Sequence, residues 1–264
     1  MADAIFEEPR LAEIYDPLDP DRSDLDAYAA LADEFSAVTV LDVGCGTGTL
    51  ACLLAARGLE VIAADPAAAS LDVARRKQGA GAVRWLHGDA TALPALQADL
   101  AMMTGNVAQV FITDQEWAAT LGAVREALRP GGRLAFESRD PAKKAWLEWN
   151  RDKTYRRVVI PGTGPVQTWT DLTGVEGSLV SFRMILVFGS DDAVLTSDST
   201  LRFRSRKELA DSLAAAGLAV EEVRDAPDRP GREFVFITRR PAGEDPHPAR
   251  GASLSGRAVR ARAT

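Results

Sequence analysis

Residues Val40–Leu50 read VLDVGCGTGTL. A short apolar run ends in three glycines at alternate positions, Gly44, Gly46 and Gly48, and the helical pattern TLACLLAARG follows directly, stopping at Gly58. Backbone freedom where a strand meets a helix is useful when something must come close to the main chain, because glycine reaches positive φ and carries no Cβ. In an open parallel sheet that place is the carboxyl edge, beside the point where the connections diverge to opposite faces. The dinucleotide fingerprint Gly-x-Gly-x-x-Gly is not met. Its third position falls on Thr49, and the observed spacing is Gly-Cys-Gly-Thr-Gly.

Outward from this stretch, strand and helix patterns alternate. VTVLDVG reads as a buried strand, EVIAAD as a second, VRWLHGD as a third, ADLAMMTG as a fourth and RLAFES as a fifth. The helices between them are TLACLLAARG, AASLDVARRKQG and DQEWAATLGAVREALRPGG, the last expected to end at its Pro-Gly. Such alternation predicts a mostly parallel sheet with helices on both faces. Residues 1–35 read as an N-terminal helical segment, broken by the loop-like DPLDPDRSD, and residues 36–240 as the main domain. Within it, about 150–205, the alternating runs YRRVVIPG, VQTWTDLT, SLVSFRMILVFGS and AVLTSDSTLRFRS predict an antiparallel β insertion with a hairpin at GSDDA. The helix SRKELADSLAAAG opens on a capping box, Ser205 with Glu208, and AVEEVRDAP and EFVFITRR supply two further strands. Residues 241–264 are rich in Pro, Gly, Ala and Arg without apolar periodicity and predict a disordered tail.

Composition narrows the function classes. The 264 residues carry a net charge of -7, which argues against a broad phosphate-binding surface and hence against nucleic acid as a partner. No apolar run reaches the ~18 residues of a membrane helix, and no membrane partner is expected. The two cysteines, Cys45 and Cys52, have no His or Cys at metal spacing, so no metal site is expected and a reducing, cytoplasmic setting fits.

Three carboxylates stand where a ligand at that edge would meet them. Asp42 lies on the first strand, two residues before the first glycine. Asp65 ends the second strand, where a carboxylate can accept both hydroxyls of a ribose. Asp89 ends the third, where it can meet the exocyclic amine of adenine. His87, beside a Gly-Asp turn, and Trp146 and Trp149, one helical turn apart, read as structural.

The pieces VLDVGCGTGTLACLLAARG, VIAADPAAASLDVARRK, WLHGDATALP, ADLAMMTGNVAQVF and ALRPGGRLAFESRD together resemble the class I S-adenosylmethionine-dependent methyltransferases over roughly residues 36–140. The resemblance implies a Rossmann-like, seven-stranded sheet whose last strand runs antiparallel, and S-adenosyl-L-methionine as cofactor. It also implies roles. Asp42 and the backbone of Gly44, Cys45 and Gly46 would hold the methionine moiety, and Asp65 the ribose. Pro66 and Ser70 would border the adenine, Asp89 and Ala90 would meet its edge, and Thr104, Gly105 and Asn106 would line the floor beneath the sulfonium. Tyr15 resembles a tyrosine that some relatives fold over the cofactor.

Transfer of such a methyl group is an in-line displacement in which the protein mainly aligns the partners. After the fourth strand the chain offers TGNVAQVF, with no Asp-Pro-Pro-Tyr-type motif, and no catalytic residue is assigned. The expected function is methyl transfer to N or O of a small-molecule acceptor. The alternative is a non-catalytic S-adenosylmethionine-binding or interaction protein on the same fold. The insertion is expected to cover the acceptor site. Its strand edges also leave room for a homodimer through it, and which of Arg156, Arg157 and Arg183 point inward is left open.

Overall fold

The computed structural model describes residues 2–94 and 96–242; the tail expected over 241–264 lies outside them from residue 243 onward. Helices α1 (Ala4–Glu7), α2 (Pro9–Leu18) and α3 (Asp24–Glu34) come first. Then follow β1 (Thr39–Val43), α4 (Thr49–Ala56), β2 (Glu60–Asp65), α5 (Ala68–Arg75), β3 (Val83–His87), β4 (Ala98–Met103), α6 (Asp114–Ala127) and β5 (Leu128–Arg139). A short helix α7 (Arg151–Thr154) leads into β6 (Arg156–Ile160), β7 (Gly164–Glu176), β8 (Leu179–Phe188) and β9 (Val194–Arg202). The chain returns through α8 (Arg206–Ala215), β10 (Ala219–Asp225) and β11 (Glu233–Arg239).

The main sheet has the order β10-β11-β5-β4-β1-β2-β3. β11 runs antiparallel to both its neighbours, and the other pairings of the sheet are parallel. Its central strands are apolar on both sides because helices cover both faces. Val40, Val61 and Met102 pack with Leu25 of α3 and Leu54 of α4, while Leu41, Ile62 and Met103 pack with Trp117 of α6 and Leu213 of α8. The chain winds outward from β1 to β3, then restarts at β4 on the other side of β1. The crevice between the ends of β1 and β4 is therefore the switch point of the topology.

Two local expectations are corrected. The Pro-Gly of LRPGG does not end α6: the helix stops at Ala127, and β5 already begins at Leu128. Pairing with β4 skips from Ala98↔Leu128 to Leu100↔Arg133, so the Pro-Gly residues are absorbed as a bulge within the strand. α2 also runs further than expected, through Pro17 to Leu18, in its last turn, where the missing N–H removes only one terminal bond. The capping box at α8 forms as expected, with Ser205 and Glu208 each bonding the other's backbone N–H.

The second sheet, β6-β7-β8-β9, is antiparallel throughout. One of its faces does not meet solvent: Ile160, Val166, Leu186 and Phe188 share a core with Leu11, Ile14 and Leu18 of α2. Trp146 and Trp149 pack edge-on against Phe203 and Phe182, with ring centroids 4.7 and 4.8 Å apart, and act as packing, as their spacing suggests.

Candidate active site

A cavity of about 1060 Å³ opens at the switch point. Its floor is the loop after β1 and the loop after β4, and its roof is contributed by α1, α2 and the ends of β8 and β9. Ten of the residues singled out from the sequence line it together: Tyr15, Asp42, Gly44, Cys45, Gly46, Asp65, Pro66, Asp89, Thr104 and Gly105.

The glycines divide by what surrounds them. All three have positive φ, +73° at Gly44, +52° at Gly46 and +76° at Gly48. A Cβ on Gly44 would lie 2.9 Å from Val107 Cγ1, and one on Gly48 would lie 2.8 Å from Trp85 Cζ3 and 2.9 Å from Ala74 Cβ. At those two positions the missing side chain lets the protein pack on itself. Of these three, only Gly46 leaves a Cβ with nothing within 4 Å, so there the bare backbone faces open cavity, as it also does at Gly105 after β4.

Asp42 is 1% exposed, and neither carboxylate oxygen has a hydrogen-bond partner among the described residues. Burial, with a further push from the charge of Asp65, raises its pKa to about 7. Burial raises Asp65 as well, opposed by the N–H groups of Ala67 and Gly46, which donate to its two oxygens at 2.8 and 2.7 Å. Asp89 is exposed and held low, chiefly by the hydroxyl of Thr91. Burial pushes the Cys45 thiol well up, which leaves it protonated and unreactive near neutral pH.

Three of the singled-out residues do not reach the cavity surface. Ser70 is buried and donates its hydroxyl to the carbonyl of Phe6 at 2.8 Å, because α1 docks on α5 there. Ala90 belongs to the core, and Asn106 lies buried beneath the loop it belongs to. His87 is exposed, with its Nε2 3.1 Å from the carbonyl of Pro66.

Beside Tyr15, the roof supplies residues that sequence reasoning did not find. α1 and α2 cross the mouth of the cavity, placing Phe6 and Tyr15 on it with ring centroids 5.4 Å apart. The crossing is fastened at both ends. Asp16 accepts from Thr47 Oγ1 at 2.7 Å in the glycine loop and sits 2.6 Å from Lys77 Nζ. The Ile5 N–H donates to Ser197 Oγ of β9 at 2.9 Å, and Arg10 makes two bonds to Asp191 at 2.9 and 3.0 Å. From the insertion, Phe182, Ser181, Ser199 and Thr200 face the cavity. No sequence signal marks these four apart from strand alternation, which a register shift between Leu172 and Gly174 on the neighbouring β7 disturbs.

An unpartnered buried carboxylate beside an open glycine backbone, with a second carboxylate at the end of β2, is a donor set for a ligand that carries positive charge and a diol. Residues 40–132 match the family described as a methyltransferase domain. The demethylmenaquinone methyltransferase of Thermus thermophilus is 32% identical over 195 residues, covering 72% of this chain and 78% of that protein. An S-adenosylmethionine-dependent methyltransferase from Clostridium acetobutylicum superposes with a TM-score of 0.72 at 18% identity, over 89% of this chain and 99% of that one. CalS10, an amino pentose methyltransferase from Micromonospora echinaspora solved with S-adenosylmethionine bound, superposes with a TM-score of 0.63 at 22% identity, over 83% and 93% of the two chains. Fold, glycine loop and relatives agree: the chain belongs to the class I S-adenosylmethionine-dependent methyltransferases.

Proposed function

We propose that the protein methylates a nitrogen of a small, uncharged or cationic acceptor, by in-line displacement on S-adenosylmethionine bound at the switch point. The observation that carries this reading is the sign of the charge around the cavity. Among the described residues its lining holds six carboxylates, Asp3, Asp42, Asp65, Asp89, Glu116 and Asp198, against a single guanidinium, that of Arg22. Arg22 is itself paired with Asp24, Nε to Oδ1 at 3.1 Å. A cleft lined by one sign of charge concentrates ligands of the other. Of Arg156, Arg157 and Arg183, only Arg183 offsets part of it, by neutralising Asp198, which leaves five carboxylates against Arg22. None of them lines the cavity, Arg183 is paired with Asp198 and Arg156 lies 3.7 Å from Asp19, so an anionic acceptor finds no matching cation.

In this reading Asp42 and the backbone from Gly44 to Gly46 hold the methionine end, and Asp65 accepts from the ribose hydroxyls. Pro66 and Asp89 border the adenine, Thr104 and Gly105 form the floor near the sulfonium, and Tyr15 closes over from above. Ser70 is left out, since its hydroxyl is already committed to Phe6. Bound S-adenosylmethionine supplies a methyl group on a positively charged sulfur that leaves as a neutral thioether. The protein's part is orientation and exclusion of water by the roof, which can lower a barrier by roughly 7 to 11 kcal/mol in the best-aligned cases. The attacking nitrogen uses its lone pair to form the new N–C bond as the C–S bond breaks, and the resulting ammonium loses its proton to water. No base is required for an amine that arrives neutral. The volume of about 1060 Å³ stands at the top of the ~300–1,000 Å³ range of ligand pockets, in keeping with a cofactor and a small acceptor side by side. The edge strands β6 and β9 of the insertion support a homodimer through that sheet as a further part of this reading.

The test is calorimetric titration with S-adenosylmethionine, followed by transfer of labelled methyl groups to a panel of amines beside the matching alcohols and carboxylates. Label is expected in amines alone. Label in a carboxylate or an alcohol, with the amines unlabelled, overturns the nitrogen assignment.

A further inference from the structure

Beneath the cavity floor runs a chain of buried polar groups that methyl transfer as described does not use. Its centre is Asn106, 2% exposed and held at φ +63°, directly after the cavity-lining Thr104 and Gly105. The Asn106 backbone N–H donates to Glu137 Oε1 at 3.0 Å, and its side-chain amide donates to Glu233 Oε2 at 3.2 Å. The other oxygen of Glu137 accepts from the Tyr28 hydroxyl, and Glu233 Oε1 accepts from Arg229 Nη1 at 2.7 Å.

Both glutamates are buried, at 6% and 4% exposure, on the adjacent strands β5 and β11. Glu137 lies opposite Val235 and Glu233 opposite Arg139, so the two glutamates stand on the same face of the sheet. Buried carboxylates are a poor way to stabilise a sheet, since apolar residues of similar size usually do as well or better. What these two achieve is specific. Both bond the same residue, Asn106, one through its backbone N–H and one through its side-chain amide, and so fix both ends of a residue in the left-handed region, which asparagine tolerates better than most side chains. The next residue, Val107, fills the space above Gly44 that a Cβ would take, so the loop after β4 and the glycine loop interlock.

We propose that Glu137 and Glu233 are positioning residues which, acting through Asn106, fix the Thr104–Asn106 loop and thereby the surface on which the reacting methyl group rests. The proposal depends on the assignment of that loop to the sulfonium in the function proposed above.

The probe is S-adenosylmethionine carrying a ¹³C methyl group, observed by NMR on the full-length protein, since the resonance of the bound methyl group reports the floor without any acceptor. Glu137→Leu leaves the Asn106 N–H without its acceptor, and is expected to shift the bound resonance and weaken binding by about tenfold. Glu137→Gln is expected to restore both. Its carbonyl still accepts from the Asn106 N–H while its NH₂ donates to the Tyr28 oxygen. Asn106→Gly, which keeps the backbone N–H and tolerates positive φ, should stay nearer to the parent than Asn106→Ala does. Should Glu137→Leu fail to fold, the Asn106 pair and Glu233→Gln carry the same comparison. A parental resonance and parental affinity in every folded variant overturn the proposal. No bound resonance in the parent protein overturns instead the function on which it rests, and the proposal with it.

Discussion

Replacing Asp42 by asparagine is expected to make the ligand-free protein more stable and the protein a far poorer binder of S-adenosylmethionine. The carboxyl group is buried without partners, and burial raises its pKa from an ordinary 3.8 to about 7. A carboxyl whose pKa is higher in the folded than in the unfolded chain favours folding only while protonated. Its ionisation therefore opposes folding increasingly from about pH 4 up to about pH 7 and fully above that. The opposing term at pH 8 is on the order of 4 kcal/mol. Asparagine removes the charge but leaves a buried polar group, so a net gain of about 1 to 2 kcal/mol remains. Thermal melts at pH 8 should place Asp42→Asn a few degrees above the parent, with the advantage gone near pH 4. Calorimetry should show the opposite sign for the ligand. Removing one partner of a buried charge pair costs about 2 kcal/mol or more, at least roughly thirtyfold in affinity. Equal melting temperatures at pH 8, or an unchanged dissociation constant, would contradict the assignment.

Gly48→Ala is expected to damage the fold and Gly46→Ala only the site. At Gly48, φ +76° costs an alanine ~1 to 2 kcal/mol. Its methyl group must also displace the Trp85 ring and Ala74, which overpacking data put at about 1 to 3 kcal/mol more. A total of about 3 kcal/mol lowers the melting temperature by roughly 10 °C in a chain of this size. Gly46 has the backbone strain alone, with open space where the methyl group goes. Gly46→Ala should melt within a few degrees of the parent yet lose cofactor binding, because the added group stands in the cavity. Thermal melts and titrations of the two variants check this directly. A stable Gly48→Ala would mean that Trp85 yields more easily than its ring, held by Nε1 to Ala80 O at 3.0 Å, suggests.

The contrast between these glycines shows how far the sequence could be read. The alternation of strands and helices was legible because parallel strands covered on both faces must be apolar throughout, as Val40, Leu41 and Val43 are. The positions of Asp65 and Asp89 were legible because topology alone brings the ends of neighbouring parallel strands to one edge. What each glycine makes room for was not, since Trp85 reaches Gly48 from β3, and Val107 reaches Gly44 from beyond β4. The surroundings of Ser70 were hidden for a similar reason. Its turn of α5 looks cavity-facing until α1, 64 residues earlier in the chain, docks against it. Glu137 left a trace, a charge within the apolar strand run LAFES, but its partner Tyr28 lies 109 residues away and no local rule connects them. The roof was the least legible part. The insertion was recognisable as an antiparallel sheet, yet its docking on α2 follows from side chains that only the fold brings together.

That docking has a kinetic side. Because Leu11, Ile14 and Leu18 share one core with Ile160, Val166, Leu186 and Phe188, the two parts of the roof, which the proposed function sets over the cofactor and the acceptor, form a single body. A roof packed as one body is expected to open as one, so that spent cofactor and methylated product become free to leave in the same opening. An acceptor with room for two methyl groups is then handled distributively. It leaves after the first transfer and must rebind for the second. Time courses on such an acceptor should show the singly methylated compound building up in solution before the doubly methylated one appears, and a doubly methylated product from the first turnover would mean that the two ends open separately.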